Sequence, residues 1–235
     1  FAIASAFGMA SILSVIILGD ESGYEIGDVQ KTKLAAIEAE WHTEPAPAAF
    51  TLFGLPNQAE QRTDYAVKIP YVMGIIATRS LDTQVTGIKD LIKQHELRIR
   101  NGIKAYALLE KLRSGEKTPE NLAAFNQHKQ DLGYGLLLKK YTPAVVDASE
   151  AQIKQAALDT IPNVATVFWS FRLMVASGFL MLALFACAFW ASARKNEEKK
   201  RWLLKWALYS LPLPWIAAQT GWLVAEHGRQ PWSIA

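Results

Sequence analysis

The sequence predicts an all-α integral membrane protein in which transmembrane helices flank a large, mostly helical extracytoplasmic loop. Three observations carry this. Residues 1–18, 164–193 and 202–225 are apolar runs, and a helix of roughly twenty such residues crosses a bilayer. Between the first two runs lies a polar insert, residues 19–163, rich in helix-forming residues. Residues 194–201 form a short loop in which Arg194, Lys195, Lys199, Lys200 and Arg201 outnumber Glu197 and Glu198, with Lys205 just beyond. Short basic loops stay in the cytoplasm, which puts the insert on the opposite side, and a long loop translocates regardless of its own charges.

The first run opens on Phe1 without an initiator Met, a basic leader or a small-residue cleavage site. It therefore reads as the truncated start of a span in a fragment of a longer protein, not as a signal peptide. Gly19, Asp20, Glu21, Ser22 and Gly23 then predict an exit turn at the membrane surface. A short helix is expected over residues 28–41, capped by Asp28 and ended by Pro45 and Pro47, because KTKLAAIEAEW is built of strong helix formers. Residues 48–71 carry Gly54, Pro56 and Pro70 and predict an irregular segment with short elements.

Ile88, Leu91, Ile92, His95, Ile99, Ile103 and Tyr106 recur at three- and four-residue steps, the mark of a long amphipathic helix that should end near Gly115. Thr118 before Pro119 starts the next helix, expected to reach about Leu132, where Gly133 and Gly135 weaken it. Ser149 with Gln152 forms a capping box for a last short helix to about Thr160. In the third span Pro212 and Pro214 remove two backbone donors, so a kink is expected there. Residues 226–235 begin the next extracytoplasmic segment.

The formal net charge is only +3, and no basic-aromatic array accompanies it, which gives no case for nucleic acid. The single cysteine, Cys187, lies in the second span and forms no internal disulfide; packing is its expected role. His42, His95, His128 and His227 lack metal-ligand spacing, and no phosphate loop or nucleophile triad is present.

The richest stretch is WIAAQTGWLVAEHGRQPW, residues 215–232. Gln219, Trp222 and Glu226 fall on one helix face, and a carboxylate at the end of an apolar span calls for a partner such as a metal, a proton or a cation. Arg229 can reach back to that carboxylate or to an anionic cofactor group. An interfacial belt of Trp222, Trp232 and Arg229 explains the same residues without a ligand. On the second span, Arg172 is expected to snorkel to the surface, and Met174, two residues on, does not share its face. Lys33 and Glu38, five apart, read on spacing alone as a solvated charged face.

Several long runs resemble the larger subunit of cytochrome bd quinol oxidases. They are GDESGYE at residues 19–25, KLAAIEAEW at 33–41, GIIATRSLDT at 74–83, KAYALLEKLRSG at 104–115, DLGYGLLLKKYTP at 131–143, FRLMVASGF at 171–179 and GWLVAEHGRQPW at 221–232. Together they span essentially the whole chain.

The resemblance implies a subunit of a respiratory quinol:oxygen oxidoreductase in the bacterial inner membrane, multi-pass, with the large loop periplasmic. Quinol would be oxidised at that loop, and electrons would pass through haem b to haem d, where oxygen is reduced to water and the proton motive force is fed. The implied quinol-binding residues are Lys33 and Glu38, with Asp20 or Glu21 from the exit turn. Met174 would ligate the low-spin haem b and Glu226 the high-spin haem b, with Arg172, Trp222 and Arg229 in the haem environment. The family's usual tyrosine after the glutamate is His227 here. No catalytic residue beyond these is assigned, and the fragment is not expected to be active alone, because the family's histidine haem ligands and proton-path acids lie upstream of Phe1. Implied partners are a second large oxidase subunit, a small single-span subunit, membrane lipid, and ubiquinol or menaquinol.

A different class of function, a non-enzymatic membrane-anchored docking subunit with a helical exported domain, is kept beside this reading. It predicts a colourless complex. A transporter hinged at Pro212 and Pro214 is disfavoured because no second broken helix accompanies the first.

Overall fold

A computed structural model describes residues 1–80, 82–196 and 199–229. Glu197, Glu198 and the helix-end residues Gln230, Pro231 and Trp232 lie outside the described residues, as does the side chain of Asp28. Among the described residues, two helices are long and apolar enough to cross a membrane, α1 (Ala2–Val29) and α7 (Val164–Ala193), and they pack on one another. The side chain of Asn163 caps α7 by accepting a hydrogen bond from the Thr166 amide at 3.0 Å, which sets its start at the expected residue.

The expected turn after residue 18 does not form. Helix α1 runs straight through Gly19 and Gly23 to Val29. Neither glycine is forced out of helical conformation, each costs the helix only about 1 kcal/mol, and Arg79 supports the extension from the side. It pairs with Asp20 at 2.9 Å and Glu21 at 2.7 Å and lies over the Tyr24 ring.

A single residue, Gln30, then separates α1 from α2 (Lys31–Glu38), so Gln30 and not Asp28 occupies the cap position. Ala39, in the left-handed conformation, closes α2 six residues before Pro45. There the amides of Ala39 and Glu40 turn back onto the carbonyls of Ala36 and Ala35.

The segment expected to be irregular is an antiparallel hairpin, β1 (Phe50–Asn57) paired with β2 (Arg62–Ile69). The register breaks between Thr51 and Phe53 and again between Phe53 and Leu55. Such bulges twist a strand and disrupt its alternation, which is why the pattern was hidden.

Helix α3 (Ile88–Arg113) follows the expected periodicity and buries Ile88, Leu91, Ile92, His95 and Ile99. It is followed by α4 (Pro119–His128), capped by Thr118, and by α5 (Leu132–Leu136). Gly133 and Gly135 do not end the helical path. Gly135 lies against Gly102 of α3 so closely that a Cβ on Gly102 would sit 2.3 Å from the Gly135 nitrogen. Helix α6 (Glu150–Leu158) begins with the complete capping box of Ser149 and Gln152.

The third apolar run divides into α8 (Arg201–Tyr209) and α9 (Leu213–His227). Pro212 and Pro214 sit where α9 begins, so their missing donors fall among amides that no helix would pair. Helix α9 packs along α7. One core unites α2, α3, α6 and the start of α7, and it includes Ile37, Trp41, Ile99, Ile153, Val164 and Phe168.

Candidate functional site

Helix α2 is the element that organises the site. Two polar side chains of this short helix, Lys33 and Glu38, are buried at 6% and 2% exposure. Five residues at about 100° each leave them roughly 140° apart, and the structure sends them to different neighbours. The reading of a solvated charged face is therefore corrected: the apolar stripe of α3 and the start of α7 close over this helix.

Glu38 faces α7 and the hairpin. Its Oε2 accepts hydrogen bonds from the Thr51 amide at 3.0 Å and from Arg172 Nη2 at 3.4 Å. Burial is the main influence on its carboxyl group, outweighing the Arg172 charge and the Thr51 bond, and pushes its pKa up to about 7.

Arg172 does not snorkel. Its side chain is 9% exposed and turns inward along α7. Nη1 donates to the carbonyls of Ile37 at 2.7 Å and Phe168 at 3.1 Å, Nε donates to Leu52 O at 3.2 Å, and Nη2 also bonds the Thr51 carbonyl. The guanidinium lies 3.3 Å from the Phe168 ring centroid. Unpaired carbonyls at the end of α2 and on the bulged strand offer a planar five-donor group more bonds than the surface does.

Lys33 faces the other way, to the end of α9. Its Nζ donates to Ala225 O at 3.5 Å, and its stem crosses Gly228, where a Cβ would meet Lys33 Cγ at 2.7 Å. Burial, helped by the Arg229 charge and opposed by Glu226, lowers its pKa. Beside it Glu226 and Arg229 form a two-pronged ion pair at 2.8 and 3.0 Å.

Met174 lies on α7 two residues beyond Arg172 and points at α9, where a Cβ on Gly221 would be 3.0 Å from its sulfur. Gly221 precedes Glu226 by five residues on the same helix. The helices that carry Met174 and Glu226 are thus the two that α2 grips, one through Glu38 and the other through Lys33. Trp222 is 59% exposed and has an outward-facing ring. Asp20 and Glu21 are bound to Arg79 and have no bond to Lys33 or Glu38. The structure therefore brings together Lys33, Glu226 and Arg229, and separately Glu38 and Arg172, and keeps the acidic pair apart.

Sequence reasoning missed two neighbours, Thr51 and Lys68. Thr51 holds Glu38 from a strand that was not expected. Lys68 of β2 bridges Glu40, at 2.9 Å, and Glu44. His95 is held by Thr160 Oγ1 at 2.6 Å. Only His95, on the apolar stripe of its helix, gave a sequence signal. Among the described residues, no three His, Cys, Asp or Glu side chains gather as a metal cage.

The comparisons with known proteins agree with one another. Residues 1–235 match the family model described as cytochrome bd terminal oxidase subunit I. The chain is 46% identical over its full length to the cytochrome bd-II ubiquinol oxidase subunit 1 of Escherichia coli (strain K12) and covers 46% of that protein. It is 26% identical to the cytochrome bd ubiquinol oxidase subunit 1 of Bacillus subtilis (strain 168), of which it covers 38%. The solved bd oxidase from Geobacillus thermodenitrificans shares the fold at a TM-score of 0.57 and 23% identity, over 98% of this chain and 38% of that one. The chain spans less than half the length of each of these relatives.

Proposed function

Because the chain belongs to the cytochrome bd terminal oxidase subunit I family, we propose that it is part of a respiratory oxidase that takes electrons from quinol at the periplasmic loop and delivers them to oxygen. The observation that carries this reading is the grip of α2 on both α7 and α9. Residues expected at the quinol are tied through Arg172 and Ala225 to the helices bearing Met174 and Glu226.

Haem iron, when bound, supplies the one-electron steps and the reduction of oxygen to water. The residues present fit such a group. Met174 offers a soft thioether, which suits a low-spin haem b, and Glu226, half-buried at the end of α9, offers a carboxylate whose charge a ferric iron would balance. Leu173, Trp215 and Trp222 leave exposed apolar surface on the same two helices. Arg229 balances Glu226 and is placed to pair with a propionate. A haem d completes the proposed set, with its own ligands contributed by other parts of the longer subunit.

Glu38 is the proposed proton acceptor for the quinol hydroxyl: a buried carboxylate with a pKa near 7 can take a proton and release it again at working pH. Arg172 holds Glu38 in place and ties its movement of charge to α7. Lys33 is proposed to stabilise negative charge developing on the quinol oxygen, and Asp20 or Glu21, turned from Arg79, to contact the head group. The quinol is ubiquinol or menaquinol. The partners are a second large oxidase subunit, a small single-span subunit and lipid, seated on exposed apolar faces such as that of α1 around Ile3 and Phe7.

The test is the Met174→Leu variant of the assembled oxidase. Its reduced-minus-oxidised visible spectrum should lose the low-spin haem b band while the other bands remain. An unchanged spectrum refutes the assignment, and a colourless native complex refutes the oxidase reading in favour of a docking subunit.

A further inference from the structure

Beside Glu38 the structure holds two more carboxylates that the proposed oxidation does not use. Glu38, Glu40 and Glu44 line one narrow crevice whose remaining wall is Ala48, Ala49, Met73 and Val85. Their side chains grade from inside to outside along it, at 2%, 10% and 27% exposure. Both hydrogen bonds to Glu38 end on Oε2, from the Thr51 amide and from Arg172. A proton is the ligand that such a row of carboxylates, running from the buried acid to the exposed one, can pass along.

We propose that Glu40 and Glu44 form the route by which the proton taken up by Glu38 leaves the protein, with Lys68 as the fixed cation that keeps the route open. This rests on the reading of Glu38 as acceptor. When a quinol gives up an electron to haem, an O–H bond of the quinol breaks and its proton joins the Glu38 carboxylate. That proton passes to Glu40 and then to Glu44, and leaves as hydronium at the exposed end. Glu38 returns to the anion, ready for the second hydroxyl.

Charge gives the route its direction. On the membrane side of Glu38 stands Arg172, whose donors are all engaged and whose positive charge repels a proton. On the outer side, Glu40 and Glu44 share the Lys68 ammonium. Burial raises the pKa of Glu40 against the opposing pull of Lys68, so Glu40 can take a proton in passing, and the salt bridges to Lys68 hold Glu40 and Glu44 side by side at the outer end. The charge of Glu40 adds to the rise in the Glu38 pKa, so one proton shared between the two is favoured over both being ionised.

The test uses the assembled oxidase with a soluble quinol. Glu40→Gln should lower kcat about tenfold, leave KM for quinol and the haem spectrum unchanged, and raise the solvent deuterium isotope effect on kcat. Glu40→Asp should restore much of the rate. Glu44→Gln, at the open end, should show the same pattern more weakly, and it decides alone should Glu40→Gln fail to assemble. A raised KM with a normal isotope effect in an assembled variant would mark a merely structural role and overturn the proposal. So would native kcat in both Glu40→Gln and Glu44→Gln while Glu38→Gln is slow. Native turnover in Glu38→Gln would instead remove the acceptor reading beneath it.

Discussion

Two of the buried titratable side chains, His95 and Glu38, have surroundings that differ in a way that separates a structural group from one proposed for function. His95, in the core of the insert, is 7% exposed, and burial with the nearby Arg98 charge depresses its pKa to about 4. Its Nδ1 meets Thr160 Oγ1, which in turn donates to Ala157 O. At neutral pH it is an uncharged ring with its bond made, and it costs the fold nothing. Glu38, between α2, the hairpin and α7, has its pKa raised to about 7. From pH 4.5 up to 7 the unfolded chain releases this proton before the folded one does. Burial of Glu38 therefore costs a growing amount, roughly 3 kcal/mol once both are ionised. A buried acid kept at such a cost, with a cation already in place, supports the proposed role of Glu38 as proton acceptor.

The sharpest way to break the contrast is to remove Arg172. Arg172→Leu leaves Glu38 and the Ile37, Thr51 and Leu52 carbonyls without their donor. Loss of one member of a buried pair should cost roughly 3–5 kcal/mol, read as a lower melting temperature of the assembled oxidase; an unchanged melt would mean that α2 is not pinned as described.

Acid comes next. His95 has a folded pKa below its unfolded one, so its contribution is whole above pH 6.5 and is lost as pH falls toward 4. The native protein should lose up to roughly 3 kcal/mol over that window relative to His95→Gln, by unfolding measured at each pH. Parallel curves would show that His95 is solvated. Thr160→Val keeps the shape but removes the hydroxyl, and should cost about 1–2 kcal/mol at neutral pH. The smallest effect is expected from Ser149→Ala, about 1 kcal/mol from the loss of the capping box at α6, with no change in turnover; a change in turnover would join the insert's far end to the chemistry.

Much of this fold could be read directly. The start of α7 at residue 164, the α3 stripe, the Thr118 and Ser149 caps and the break at Pro212 are all local patterns, decided by residues close together in the chain. The hairpin was not legible because its bulges spoil alternation, and the continuation of α1 was not because its support, Arg79, is 59 residues from Asp20. The site divides the same way. Met174, Glu226, Lys33 and Glu38 were named through long shared motifs, whereas spacing alone left Lys33 and Glu38 on an exposed face. What spacing cannot show is which helix face meets which neighbour, and so the Arg172 network, the Lys33 contact with Ala225 and the crevice of Glu40 and Glu44 became visible only in three dimensions.

The central claim is that Glu38 links quinol oxidation to the haem-bearing helices. The direct measurement is the rate of haem reduction by quinol in the assembled Glu38→Gln oxidase, followed by rapid mixing. The account predicts a fall on the order of 100-fold with haem content and spectra intact. Reduction at the native rate would contradict it.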